Sequence, residues 1–329
     1  MPNVLDTLMN VFRKKDPAPP EATAPAESDP ATMAVTAPMV ASPRDVKTTL
    51  PLPDLDTLPT ADTVRSAAVS LAPRRLTMGI AQHVGRVRTH NEDVLLVFTG
   101  ELAGLEAMPS FGLFVVADGM GGHALGERAS GIAARTVART TLDGILPSLL
   151  ADPTLNTDRP SLQEVMEKAM DAANRAVSVG VPDGGGTTLT CALIIGQQVV
   201  LSHVGDSRAY IITDDSFEQL TRDHSLVQRL QELGQLSASE AAIHPQRNVL
   251  YRAIGQGEGL EVDVDSRRLP PGAILLLCSD GLWGLVPDDR ILSIVRENSS
   301  LQAACEAMVA AANAAGGPDN ITAVMVKLP

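Results

Sequence analysis

The chain has 329 residues, 44% hydrophobic and 20% charged, enough for one large or two ordinary globular domains with a buried core. Acidic residues outnumber basic ones 39 to 26 for a net charge of -13, and no basic run exceeds Arg13-Lys14-Lys15, which excludes a nucleic-acid binder. No apolar run approaches the roughly 20 residues that cross a bilayer, and no basic start with an apolar core marks a signal peptide, so no membrane span and a cytoplasmic location are expected.

From the N-terminus, Val4, Leu5, Leu8, Met9, Val11 and Phe12 fall broadly on one helical face, followed by Arg13, Lys14 and Lys15 where cations favour the helix dipole. That makes residues 3–15 a candidate docking helix, with a frayed terminus as the competing reading. Residues 16–75 are Pro, Ala, Thr, Ser and Asp without period, a composition that cannot bury enough apolar surface to offset ordering entropy. All 26 glycines lie at or after Gly79, whereas 12 of the 23 prolines precede residue 76. The expected division is therefore a disordered tail over 1–75 and a single folded domain over 76–329, which carries nearly all the net negative charge.

Arg86-Val87-Arg88-Thr89-His90-Asn91-Glu92-Asp93 sets arginines ahead of two acids and of the strand-like Val94–Phe98. A guanidinium fork fits phosphate oxygens, and a nearby acid can hold a metal-bound water; a solvated turn with a salt bridge is the alternative. A strand is predicted over Phe111–Ala117, followed at once by Asp118-Gly119. Ser161–Val179 reads as a helix opened by a Ser-Leu-Gln-Glu capping box, with Leu162, Val165, Met166, Ala169 and Met170 on one face. Leu189–Ile195, Val199–Val204 and Ala209–Thr213 read as strands. The last two are separated only by Gly205-Asp206-Ser207-Arg208, which predicts a hairpin with Asp206 at its tip. A strand over Ala273–Cys278 leads through Ser279 to Asp280. A helix over Leu301–Ala315 ends at Gly316-Gly317-Pro318, and Asp319-Asn320 precedes the strand Ile321–Lys327. An antiparallel hairpin among mixed periods makes this α+β rather than a βαβ repeat.

Four carboxylates, Asp118, Asp206, Asp280 and Asp319, thus recur at expected sheet edges, each near a glycine that lets backbone carbonyls approach. Carboxylate, carbonyl and water form the ligand set of Mg²⁺ or Mn²⁺, whereas zinc favours His or Cys. Each Asp-Gly alone is an ordinary turn; four crowded acids would repel unless a cation neutralised them. Cys191, Cys278 and Cys305 sit among apolar residues, as reduced buried thiols do. None has an arginine six residues on, no Gly-Lys opens a Walker A loop, and no His-Glu marks a zincin.

Taken in order, Arg88-Thr89-His90-Asn91-Glu92-Asp93, Ala117-Asp118-Gly119-Met120-Gly121-Gly122-His123, Gly186-Thr187-Thr188, Gly205-Asp206-Ser207-Arg208, Cys278-Ser279-Asp280-Gly281-Leu282 and Gly317-Pro318-Asp319-Asn320 resemble the metal-dependent protein serine/threonine phosphatases of the type 2C (PPM) family, especially compact bacterial members. The resemblance implies a sandwich of two antiparallel sheets flanked by helices, α-β-β-α, over residues 76–329. It implies two Mn²⁺ or Mg²⁺ ions, with Asp118 bridging them, the Gly119 carbonyl on one, and Asp280 and Asp319 on the other. Asp206 with Asp280 would support a third ion. Arg88 would grip the substrate phosphate, and Glu92 would act near the metals through water. A water between the ions would lose a proton and attack phosphorus in line, without a covalent enzyme intermediate.

The same resemblance implies phosphoprotein substrates, a cognate bacterial Ser/Thr kinase as opponent, and a monomer. Residues 223–248, with His224, Pro245 and Arg247, look like the flap beside the substrate groove. Many eukaryotic relatives carry His directly after the Asp-Gly pair, whereas this chain has Met120, so a metal-bound water is the expected acid and His123 a structural residue. Thr48, Thr49, Thr57, Thr60 and Thr63 in the tail are candidate kinase targets. Two rival readings remain: Gly119–Ala124 fits the dinucleotide pattern G-x-G-x-x-A, and a silent phosphatase fold could act as a scaffold for phosphoproteins or a kinase.

Overall fold

The computed structural model describes residues 75–102, 108–122, 124–151, 161–182, 184–214, 216–257 and 259–329. The N-terminal helix, the tail threonines and His123 lie outside the described residues.

Two antiparallel sheets make the centre of the domain. In chain order the elements begin with β1 (Thr77–His83), β2 (Asp93–Leu102) and β3 (Met108–Met120), then the helices α1 (Ala124–Leu149) and α2 (Leu162–Gly180). There follow β4 (Gly186–Thr187), β5 (Leu189–Ile195), β6 (Gln198–Val204), β7 (Arg208–Ile212) and β8 (Phe217–Gln219). Two short helices, α3 (Leu226–Glu232) and α4 (Ala238–Ala242), precede β9 (Asp263–Arg268) and β10 (Ile274–Cys278). The chain closes with α5 (Asp280–Trp283), α6 (Asp288–Glu297), α7 (Leu301–Ala314) and β11 (Ile321–Lys327). One sheet has the order β1-β11-β10-β7-β8 and the other β2-β3-β5-β6-β9.

The inner strands of both sheets are largely apolar on both faces, as burial on both sides requires, whereas the outer strands β1, β8 and β9 are mostly exposed or half-buried. Phe114, Val116, Ala192, Ile194, Leu275, Leu277, Val324 and Val326 form the layer between the sheets. The alternate positions Leu113, Val115 and Ala117 pack with α1 and α2 residues such as Ala133, Val137, Met166 and Met170. On the far side Leu276, Ala323 and Met325 pack under Ile291 and Ile294 of α6 and Cys305 and Met308 of α7. Period-two alternation thus sorts one strand between two cores, each large side chain contributing roughly 1.5–3 kcal/mol of burial. The α-β-β-α architecture is as expected, and all three cysteines are free and buried.

Local signals explain the helix starts. Ser161 caps α2 by accepting a hydrogen bond from the Glu164 N–H, and Ser300 caps α7 by accepting from Ala303. The periodicity does not predict α1, whose buried face is largely Gly126, Ala129, Ser130, Gly131, Ala133, Ala134 and Ala138. Small residues give little contrast between faces.

The expected hairpin between Val199–Val204 and Ala209–Thr213 does not form. β6 pairs with β5 and β9, while β7 pairs with β10 and β8, so Gly205-Asp206-Ser207 carries the chain from one sheet to the other. Gly205 makes the crossing at φ 114, a backbone state open chiefly to glycine, and its position is too close to Thr188 for a side chain. A short connection demands proximity, which packed sheets supply as well as paired strands. The dinucleotide reading also ends here, since β3 is antiparallel to β2, β4 and β5.

Candidate metal centre

Register brings the acids together. Asp93 in β2 lies directly opposite Asp118 in β3, an arrangement that costs energy when both are charged. Asp280 opens α5 immediately after Ser279 leaves β10, Asp319 precedes β11, and Asp206 occupies the crossing between sheets. β10 and β11 are neighbours, so their acid-bearing ends share one end of the sandwich with Asp118.

The segments between the motifs hold these acids in place. Asp118 N–H donates to Thr188 Oγ1 at 2.9 Å, while the Thr187 hydroxyl and Thr188 N–H donate to the Asp118 carbonyl, each at 2.8 Å. Asn320 Oδ1 accepts from the Glu92 N–H at 2.7 Å, and its amide donates to the Val84 and His90 carbonyls. That one side chain ties the arginine-bearing loop to Asp319. Gly119 lets its strand approach α1: a Cβ there would stand 2.2 Å from the Gly126 carbonyl oxygen.

The electrostatics are those of an uncompensated anion cluster. Burial, followed by the charges of Asp93, Asp280, Asp206 and Asp319, pushes Asp118 well above the ordinary carboxylate range. Asp206 is raised by burial, then by Asp280 and Asp223, against the pull of Arg208. Asp280 is pushed up to about 6 by burial and Asp319, offset by hydrogen bonding with Asp118 and the charge of Arg88. Asp93 reaches about 7 through burial, although Thr322 and Ser279 donate to its Oδ2 at 2.6 and 2.8 Å. Its Oδ1 and Asp280 Oδ1 are buried without a hydrogen-bond partner.

Orphaned carboxylate oxygens in a mutually repelling cluster fit a hard divalent cation, which takes oxygen ligands and cancels the repulsion. Among the described residues, however, no three His, Cys, Asp or Glu side chains already stand as a closed ligand group. Asp319 instead accepts from Arg88 Nη2 at 2.9 Å, with both side chains partly exposed.

Of the residues singled out in the sequence, Asp118, Asp206, Asp280 and Asp319 lie within one another's fields, and Arg88 lies in the field of Asp319, Glu92 and Asp118. Glu92 is buried beside α1, close enough that a Cβ on Gly126 would meet its Oε2 at 2.1 Å. Asp93 and Asn320 lie within the motifs, but the sequence alone assigns them none of the roles that the structure reveals. For Asp93 the available signal was its position one residue before an apolar strand, the same signal that drew attention to acids at the other strand ends. The flap-like segment folds as α3 and α4, closed at its base by a bridge between Ser225 and Leu250. Met120 lies within β3, with the Gln256 amide 3.7 Å from its sulfur.

A two-sheet sandwich with an acid cluster suited to divalent cations at one end defines a metal-dependent class of protein, and comparison with known proteins says which. The protein phosphatase 2C model matches residues 81–258. The serine/threonine phosphatase Stp of Listeria welshimeri is 37% identical over 244 residues, covering 74% of this chain and 92% of that protein. The solved serine/threonine phosphatase PstP/Ppp of Mycobacterium tuberculosis aligns with TM-score 0.63 and 34% identity, over 77% of this chain and 98% of that one. A PstP catalytic domain solved with 2 manganese ions aligns at TM-score 0.62 and 32% identity, over 77% and 97%. The chain belongs to the protein phosphatase 2C family and is a divalent-metal-dependent protein serine/threonine phosphatase. No helix among the described residues is long and apolar enough to cross a membrane.

Proposed function

We propose that residues 76–329 form the catalytic domain and that Asp118, the Gly119 carbonyl, Asp280 and Asp319 hold two Mn²⁺ or Mg²⁺ ions, with Asp206 and Asp280 holding a third. When bound, such ions supply Lewis acidity and ionise water for in-line attack on phosphorus. The observation that carries this reading is the convergence of five aspartates, of which Asp319 has Arg88 as a direct ion-pair partner while Asp93 and Asp280 each keep a buried carboxylate oxygen without any partner.

The chain's own groups then divide the work. Asp93, with one oxygen fixed by Ser279 and Thr322, presents the other to the cluster and orients water there together with Glu92. Arg88 binds the substrate phosphate, exchanging its single bond to Asp319 for phosphoryl oxygens when substrate arrives. Thr187, Thr188 and Asn320 keep the acids in register. The thioether of Met120 has no proton to give, so a water in the site protonates the departing seryl or threonyl oxygen.

The substrates are phosphoseryl and phosphothreonyl proteins, whose phosphate must come from a kinase that phosphorylates Ser and Thr hydroxyls; the phosphatase opposes that kinase. Hydrolysis of a phosphothreonyl peptide should require Mn²⁺ or Mg²⁺ and should be lost in Asp118→Asn. Metal binding without turnover in the wild-type chain would instead support a silent scaffold.

A further inference from the structure

The chain contains one tryptophan, and it stands at the junction of two acid-bearing segments. α5 is a single turn with Asp280 at its start and Trp283 at its end, a spacing that puts both on one side of the helix. Trp283 Nε1 donates to the Asp206 carbonyl at 3.0 Å. The guanidinium carbon of Arg208 lies 3.5 Å from the indole centroid. Arg208 is itself gripped by both Asp223 oxygens, at 2.8 to 3.2 Å, and donates to the Tyr210 hydroxyl at 3.1 Å.

The turn around Asp206 is therefore held from several sides. Gly205 N–H donates to His224 Nδ1 at 3.1 Å, and the Ser207 and Thr188 hydroxyls bond at 2.8 Å. The Trp283 bond joins this turn to the helix that carries Asp280, beside the Arg208 stacking and the pairing of Arg208 with Cys278 that brings the two segments together. Asp206 and Asp280 each lie two residues beyond the paired Arg208 and Cys278, so the ladder sets the two segments side by side and the Trp283 bond fixes how the Asp206 turn faces the start of α5. A tie formed in advance lowers the ordering cost of a cation placed between them.

We propose that Trp283 is a positioning residue that presets Asp206 against Asp280 for a shared divalent cation, and that its indole registers the cation's arrival. This rests on the reading that Asp206 is a cation ligand. Loss of one neutral hydrogen bond, in Trp283→Phe, should raise the Mg²⁺ concentration for half-maximal hydrolysis about fivefold, and higher Mg²⁺ should reverse the defect.

The test uses the full chain with Mg²⁺, which is diamagnetic and does not itself quench emission. Tryptophan emission should change saturably with Mg²⁺ in the wild type and stay flat in Asp206→Asn of unchanged circular dichroism. Calorimetry on the same proteins separates the two levels of the argument. If Asp206→Asn removes no Mg²⁺ binding event, the assignment of Asp206 as a ligand falls, and the proposal with it. If that event is lost but Trp283→Phe keeps the wild-type Mg²⁺ requirement, or the emission change survives in Asp206→Asn, only the role of Trp283 is overturned. Should Trp283→Phe melt early, the emission of the wild type against Asp206→Asn decides.

Discussion

Two polar regions lie inside this domain, and they are built on opposite principles. In one, Asp93, Asp118, Asp206, Asp280 and Asp319 crowd together with Arg88 as the neighbouring cation, and two carboxylate oxygens have no partner. In the other, Asp223 holds Arg208 with three hydrogen bonds, and His203 and His224 stack 5.0 Å apart with both ring nitrogens engaged. The Arg222 carbonyl can only accept, so His203 donates to it from Nε2, and its Nδ1 lies 2.9 Å from the Thr190 hydroxyl, which also bonds the Ser207 carbonyl. Gly205 N–H likewise makes Nδ1 of His224 an acceptor and leaves its Nε2–H for Asp263. A missing partner alone does not mark a site, since Ser202 Oγ beside His203 and Asn313 Oδ1 are also buried without one. The acid cluster differs because its orphaned oxygens belong to carboxylates whose neighbours carry the same charge, which is what a cation would cancel.

The sharpest way to break the comparison is to make the same change, Asp to Asn, in each region. Asp118→Asn should lower kcat/KM by at least about a hundredfold, since cation-assisted stabilisation is worth several kcal/mol. The same variant should melt higher than the wild type in EDTA at pH 8, because it removes a charge that its neighbours oppose. Asp223→Asn should do the reverse to stability. It abandons the largely buried Arg208, and melts with or without Mg²⁺ should show a loss of about 3 kcal/mol. If both variants destabilise the metal-free protein equally, the acid cluster is not the uncompensated region described above.

Titration separates the regions next. Asp93 and Asp280 sit near 7 and 6 in the folded protein, above their unfolded value, so they favour folding at low pH and withdraw that support as pH rises through those values. His203 is pushed down to about 3, chiefly by burial and then by His224. Its folded form is neutral, so its contribution is complete above the unfolded pKa of about 6.5 and is lost as pH falls towards 3, costing about 2 kcal/mol by pH 5. In EDTA the two slopes oppose each other. Mg²⁺ cancels the carboxylate slope, so melting at pH 5, 6.5 and 8 should show the stability maximum moving to higher pH when Mg²⁺ is added. An unmoved maximum would place the cation elsewhere.

Legibility from sequence followed the range of the interactions. The strands Leu189–Ile195 and Ile321–Lys327 were readable to the residue because Gly, Asp or turn residues bound short apolar runs. The helix at Leu162 was readable from its cap. What failed was partnership: Gly205-Asp206-Ser207 is short enough for a hairpin, and nothing local says that β6 and β7 belong to different sheets. The candidate acids were visible through their strand-end positions, but their mutual repulsion is a property of three dimensions. Asp93 is hidden in the sequence for the same reason, since its place opposite Asp118 is set by the register of β2 on β3. Asn320 acts on Glu92 across more than two hundred residues, and a motif reading names it without saying what it holds.

Asp93 belongs to both regions at once, with one oxygen doubly hydrogen-bonded and the other bare, and it allows the finest test. Thr322→Val keeps the side-chain shape and removes the 2.6 Å donor to Oδ2. That donor favours the ionised carboxylate, so its loss should raise Asp93 further above about 7. The variant should therefore be close to wild type in stability at pH 5, where Asp93 is protonated, and weaker by about 1.5 kcal/mol at pH 8, the weight of a hydrogen bond to a charged group. Urea unfolding of the metal-free proteins at the two pH values measures the difference. A loss equal at both would mean that Thr322 acts chiefly as the acceptor of the Gln82 amide, and that Asp93 is held as part of the satisfied interior.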